Sequence, residues 1–163
     1  MKDMEDKTAV LWLAPRSKAK EILGGQFHLR EEGSIGPAAT CVYARGAQAS
    51  PALRGALASP GKFSAIVLVS PPSIDKLDAD VAARLREIAT PVLALFGTDD
   101  EASPPEFGHA WRRGLPKCFV TFVYGADGDM ANERPEAVAS LVADFLARGE
   151  GFLVKDRDER LFP

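Results

Sequence analysis

The sequence is short of the residues that bind metals, cross-link chains and shuttle protons. It has 2 cysteines and 2 histidines in 163 residues. Cys41 and Cys118 each lie inside an apolar, β-like run, and there is no Cys-x-x-Cys pair and no Cys/His spacing suited to zinc. No cofactor and no metal site is expected, and each thiol reads as buried and reduced. No apolar run is long enough to cross a bilayer, and Met1 to Lys7 is charged, without the apolar stretch of a signal peptide. No membrane association is expected, and the reading is a cytoplasmic protein. The 20 basic and 23 acidic residues are mixed along the chain for a net charge of −3, so nucleic acid is not expected as a partner either.

What is present is ordinary for a globular protein: 46% hydrophobic and 26% charged residues. The length suits one domain over residues 1–163, with 148–163 as a charged C-terminal extension whose docking points are Phe152, Leu153, Leu161 and Phe162. Short continuous apolar runs at Thr8–Ala14, Phe63–Val69, Pro91–Phe96 and Cys118–Tyr124 read as strands covered on both faces. Ala39–Ala44 is a further strand and Phe27–Arg30 a weaker one. Helical patterns lie between them. Ser17–Leu23 is stopped by Gly24-Gly25, and a helix starting at Ser50-Pro51 has serine as N-cap. Asp78–Ile88 aligns Val81, Leu85 and Ile88, a helix follows at Pro105–Arg113, and Pro135–Leu146 buries Val138, Leu141, Val142 and Phe145.

This alternation predicts an α/β three-layer sandwich around a mostly parallel sheet of five or six strands. One segment resists it. About eight residues separate Phe27–Arg30 from Ala39–Ala44, fewer than the dozen a parallel crossover uses. Either the first is not a parallel strand, or a helix has been lost there.

The stretch from Ala44 to Leu146 resembles the second half of the α/β-hydrolase family, with its parts in family order. Ala65–Pro72 is similar to the strand after the nucleophile helix. Thr90–Asp100 resembles the strand and turn that present the triad acid, and Gly125 to Val138 resembles the histidine loop and final helix. The resemblance implies a serine on a strained strand-to-helix turn, a histidine that takes its proton and a carboxylate that orients the histidine.

By this resemblance Asp100 takes the acid position. The nucleophile position falls on Gly46 within Ala44-Arg45-Gly46-Ala47-Gln48, and the base position falls near Gly128. The predicted helix begins at Ser50, later than in the family, so the nucleophile turn reads as rebuilt. Neither His28 nor His109 lies in a loop comparable to the histidine loop. Asp127 and Asp129, beside the missing base, can act as general bases if a pocket raises their pKa, although a glycine-rich turn favours aspartate anyway. The loop matching the family's oxyanion loop is Ala14–Ser17, where Pro15 has no N–H to donate. Arg16 and Arg45 are expected to meet at the sheet's carboxyl edge and, with Gly46, bind an anionic or acyl ligand.

Only seven residues precede the first strand, where the family has further strands, so an unpaired sheet edge is expected. That edge points to a homo-oligomer or to a partner protein covering it. Three functions stay open. One is a degenerate hydrolase-like protein acting as a binding or partner subunit. Another is an enzyme using Asp100, Asp127 or Asp129 as acid or base. The third is an ester or thioester hydrolase with a non-standard triad.

Overall fold

The apolar runs become strands because continuous apolar sequence is stable in a sheet only when both faces are covered. The computed structural model describes residues 8–31 and 39–148. Strands β1 (Ala9–Leu13), β4 (Ala65–Val69) and β5 (Val92–Gly97) are buried at every position. With β2 (His28–Glu31), β3 (Ala39–Arg45) and β6 (Cys118–Val123) they form one sheet in the order β2-β1-β3-β4-β5-β6. Every pairing is parallel.

Alternate strand residues face opposite layers, so the sheet has two cores. On one side Val10, Trp12, Tyr43, Val67 and Leu93 pack with α1 (Lys18–Leu23), α5 (Met130–Glu133) and α6 (Pro135–Arg148). The Trp12 and Tyr43 rings stack there at 3.8 Å and 4°, and burial pushes the Tyr43 hydroxyl well above its ordinary pKa. On the other side Val42, Ile66, Leu68 and Phe96 pack with α2 (Ala49–Ala58), α3 (Ala79–Ala82) and α4 (Gly108–Gly114). Leu53 of α2 is fully buried in this layer. Truncating such a leucine to alanine costs roughly 2–5 kcal/mol.

Several sequence expectations hold. The helix expected over Ser17–Leu23 forms as α1 and ends at Gly24, and the structure adds that Ser17 caps it, its hydroxyl accepting from the Lys20 N–H at 3.1 Å. Val81, Leu85 and Ile88 are all buried. Cys41 and Cys118 are buried and joined in no disulfide.

Others are corrected. Asp78–Ile88 is not one helix but α3 followed by a 3₁₀ turn at Leu85–Glu87; the apolar spacing served packing while the helix broke after Ala82. Ser50 is not an N-cap, because the helical path starts earlier and Ser50 lies inside α2. Its hydroxyl instead accepts from the Asp78 N–H at 3.1 Å, tying α2 to the start of α3. The weak strand β2 is parallel after all and sits outside β1, not between β1 and β3. The stretch 32–38 joining β2 to β3, like the predicted tail contacts of Phe152, Leu153, Leu161 and Phe162, lies outside the described residues.

Candidate functional site

The carboxyl ends of β3, β4, β5 and β6 point the same way, and the loops that follow them meet at one rim. After Arg45 the chain turns at Gly46 with φ +58° and passes directly through a 3₁₀ turn, Gly46–Gln48, into α2. Left-handed backbone costs an L-residue about 1–2 kcal/mol and glycine little, which accounts for glycine here. α2 itself begins at Ala49, one residue before the predicted start, and the 3₁₀ turn ahead of it carries no signal in the sequence, whereas Ser50-Pro51 imitates a helix start. What the turn lacks is a side chain, and a Cβ at Gly46 would meet nothing within 4 Å.

Asp100 is held firmly. Asp100 follows β5 and is only 6% exposed. Its Oδ1 accepts from the N–H groups of Ala102 and Ser103, both at 3.0 Å. Ser103 in turn donates its hydroxyl to the Pro71 carbonyl at 2.6 Å, fastening this loop to the chain leaving β4.

The loop after β6 is drawn against the Asp100 loop. Asp99 N–H donates to the Ala126 carbonyl at 2.9 Å, and Gly125 N–H donates to Thr98 Oγ1 at 2.8 Å. Gly97 permits this approach, since a Cβ there would lie 2.3 Å from the Ala126 carbonyl oxygen. The result puts Gly128 beside the acid. A Cβ on Gly128 would stand 3.4 Å from Asp100 Oδ2 and 3.7 Å from Arg45 Nη2. The position assigned to the base thus faces the carboxylate, but it holds a glycine, with the Arg45 guanidinium alongside.

Arg45 also pairs loosely with Asp129, Nη1 to Oδ1 at 3.9 Å, with both side chains part-exposed. Asp127 and Asp129 are both exposed. The Asp127 carboxyl is held below its ordinary range, chiefly because it accepts from the Asp129 N–H at 2.8 Å. Glu133, which the sequence reading passed over, is pushed up by its hydrogen bond with the Asp127 carboxylate. Among the described residues no group of three or more His, Cys, Asp or Glu is placed to hold a metal ion, and no helix is long and apolar enough to cross a membrane.

Arg16 does not join this cluster. It lines a shallow cleft with Trp12, Pro15, Glu31 and Gln48, on the β1 side of the turn, whereas Arg45 reaches toward Gly128 and Asp129. The expected arginine pair is not formed. β1 and β3 are adjacent strands, and it is the course of the Arg45 side chain, toward Gly128 and Asp129, that takes its guanidinium away from the Arg16 cleft. His109 is exposed on α4 and His28 half-buried in β2, neither at the rim. The rim residue that pattern reading missed is Ser70, which has a left-handed backbone and a buried hydroxyl; nothing in Val69-Ser70-Pro71 signals either property.

No protein-family model matches the chain, and no curated protein matches its sequence. Solved structures do match by shape. A predicted CIB-like hydrolase from Thermoplasma acidophilum is 14% identical with a TM-score of 0.69, over 90% of this chain and 88% of that one. Carboxylesterase CesB from Bacillus subtilis is 15% identical with a TM-score of 0.69, over 89% and 85%. MGS-MChE2, an alpha/beta hydrolase enzyme from the metagenome of lagoon sediments at Mar Chica, Morocco, is 14% identical with a TM-score of 0.68, over 94% and 93%. Identities this low speak for architecture and not for activity. With its six parallel strands, its two helical layers and its loops gathered at one rim, the chain has the α/β-hydrolase fold.

Proposed function

We propose that this chain is a non-hydrolytic protein of the α/β-hydrolase fold, which binds a small acyl or anionic ligand at the rim without cleaving it. One observation carries the reading: the nucleophile and base positions are both glycine around a retained, buried acid, and a guanidinium stands where the base would face it. Hydrolysis by a triad needs a hydroxyl to attack and an imidazole to take its proton. A guanidinium stays protonated in proteins and has no lone pair to accept with. It is, however, a good hydrogen-bonding partner for a carbonyl or carboxylate oxygen. Losing the serine or the histidine from such a unit lowers turnover by several orders of magnitude.

The competing reading, acid–base chemistry by Asp100, Asp127 or Asp129, is weakened by the exposure of Asp127 and Asp129 and by the lowered pKa of Asp127, which makes it a poorer base. An assay with a short-chain nitrophenyl ester separates the two. The expected result is no turnover above background. Turnover that Asp100→Asn abolishes and serine-directed inhibitors leave intact would replace the binding reading with the enzymatic one.

A partner role belongs to the same proposal. At the carboxyl end of β6, the last strand of the sheet, Phe122 is 50% exposed and Tyr124, just beyond it, 87%. Self-association or a partner protein on this side would cover both rings. A sharp monomer by light scattering at micromolar concentration would remove the homo-oligomer.

A further inference from the structure

Among the described residues three large apolar side chains stay exposed, and two of them, Phe122 and Tyr124, lie at the end of β6. The third, Ile22, stands apart from them on α1 and is 40% exposed. α1 is six residues long, and only its Ala19 and Leu23 are buried. With Ala139, Ala143 and Ala147 of α6, Ile22 lines an apolar groove of about 520 Å³ between the two helices. Exposure rises along the α6 wall: Ala139 is buried, Ala143 half-buried and Ala147 exposed. The groove therefore opens toward the end of α6, and Glu136 and Asp144 add carboxylates to that wall.

The chain itself leads into this groove. α6 ends at Arg148, the residue after Ala147, and Asp144 holds the Arg148 guanidinium back along the helix. Next in sequence come Gly149-Glu150-Gly151, then the apolar run Phe152-Leu153-Val154 and the charged run from Lys155 to Arg160. Glycine just past a helix end allows the left-handed residue that reverses the chain. From Ala147 back to Glu136 is roughly 16 Å of helix, and five steps of extended chain at about 3.3 Å each cover the same length. A segment that sets Phe152 beside Ala147 thus brings Arg157 level with Glu136. Alternate residues of an extended chain point opposite ways. Phe152 and Val154 then lean on the α1 wall, where Ile22 is, while Leu153, Lys155 and Arg157 lean on α6. That assignment sets leucine against the alanines and cations against Glu136. The reverse one would turn Asp156 toward Glu136, like charge against like.

We propose that the groove between α1 and α6 is the seat of this chain's own residues 152–157, with Phe152 and Val154 packed on Ile22 and Arg157 opposite Glu136. The apolar side chains supply the holding force, and the exposed ion pair sets the direction. A linker of three residues gives the segment an effective concentration of about millimolar, which favours it over a separate partner or a second copy. The inference uses no residue of the rim and stands apart from the binding reading.

The test follows the full chain by NMR and by limited trypsin digestion. The Ile22 methyls should show NOEs to the Phe152 ring protons. In a mixture of labelled and unlabelled chains, filtered for contacts between copies, these NOEs should be absent. Phe152→Ser and Ile22→Ser should each abolish them and speed cleavage after Lys155 at least about tenfold, the ratio set by burying one large apolar side chain. Phe152→Ser alters no residue of α1 or α6, so it decides the matter even where Ile22→Ser loosens α1. NOEs seen only between copies would overturn the proposal in favour of a dimer that seats the segment of its neighbour. No NOE from Ile22 to residues 152–154, with cleavage unchanged in Phe152→Ser, would overturn it outright and leave the groove to another protein.

Discussion

If the rim differs from a working triad mainly by two side chains, restoring them should create activity. Consider Gly46→Ser together with Gly128→His. At position 46 a serine must adopt φ near +58°, at about 1–2 kcal/mol. At 2–4 °C per kcal/mol for a chain of this size, that lowers Tm by about 2–8 °C. Sterically it costs nothing, since the space around a Cβ there is open for 4 Å. At position 128 the Cβ arrives 3.4 Å from Asp100 Oδ2, an ordinary contact at the edge of the acid the ring must meet. The ring has to displace the Arg45 guanidinium, whose pairing with Asp129 at 3.9 Å is part-exposed. Such a pair is worth at most about 1 kcal/mol, so displacement is cheap.

The assay is hydrolysis of a short-chain nitrophenyl ester by the wild type, both single variants and the double variant. A positioned general base contributes about 10²–10⁴-fold. The double variant should therefore exceed either single variant by at least about 100-fold, and Asp100→Asn in that background should remove most of the gain. Two results would refute the reasoning. Gly46→Ser alone matching the double variant would mean that some other group serves as base. A folded double variant with no gain would mean that positions 46 and 128 do not face each other across the acid as described.

The other expectations concern parts of the same rim and the core beneath it. Asp100→Ala should lower Tm by several degrees, because the N–H groups of Ala102 and Ser103 lose their acceptor at roughly 1–3 kcal/mol, whereas Asp100→Asn, which keeps an acceptor oxygen, should lose much less. Burial pushes the Cys118 thiol up to about 12, so native protein at pH 8 should resist a thiol-specific reagent at this residue and react only once unfolded. A carbon-detected NMR titration should find Asp127 titrating below its ordinary range and Glu133 above its own. The stabilisation tied to Asp127 is then present above its unfolded pKa and lost as pH falls through the depressed folded value. That tied to Glu133 runs the other way: it is present below the unfolded pKa and lost as pH rises through the raised one. Glu133→Gln should abolish the second dependence and keep the first.

How far the sequence announced this structure depends on what kind of signal each part carries. The buried strands were legible because runs such as Ala65–Val69 and Val92–Gly97 can be stable only between two covered faces. Asp100 and Gly128 were singled out through the family resemblance, Asp100 by the Gly-x-x-Asp turn and Gly128 by its distance before Glu133-Arg134-Pro135. Helix starts were less so. Ser50-Pro51 carries the chemistry of a cap, yet α2 had already begun at Ala49 after the 3₁₀ turn Gly46–Gln48, where a single backbone angle at Gly46 decides the turn and leaves no mark on composition. The same holds for the pairing of Arg16 with Arg45. Both sit at the carboxyl ends of neighbouring strands, and what composition does not announce is the direction the Arg45 side chain takes, toward Gly128 and Asp129.

That asymmetry bears on function. Residues that make chemistry by identity, a serine or a histidine, can be recognised as absent from sequence alone. Residues that make a site by position cannot be recognised as present. Gly97 is kept by a 2.3 Å approach of the Ala126 carbonyl, Ser103 by its bond to Pro71, and Gly46 by its left-handed turn. Together they hold Asp100, the Gly46 turn and Gly128 in register, and on the binding reading proposed above a ligand at the rim is what that arrangement serves. If the rim binds nothing, these constraints carry no function, and Gly97→Ala should harm only stability. If it binds an acyl ligand, the same substitution should cost affinity beyond its effect on Tm, because forcing the Ala126–Gly128 loop away from Asp100 separates the acid from the guanidinium that shares its ligand.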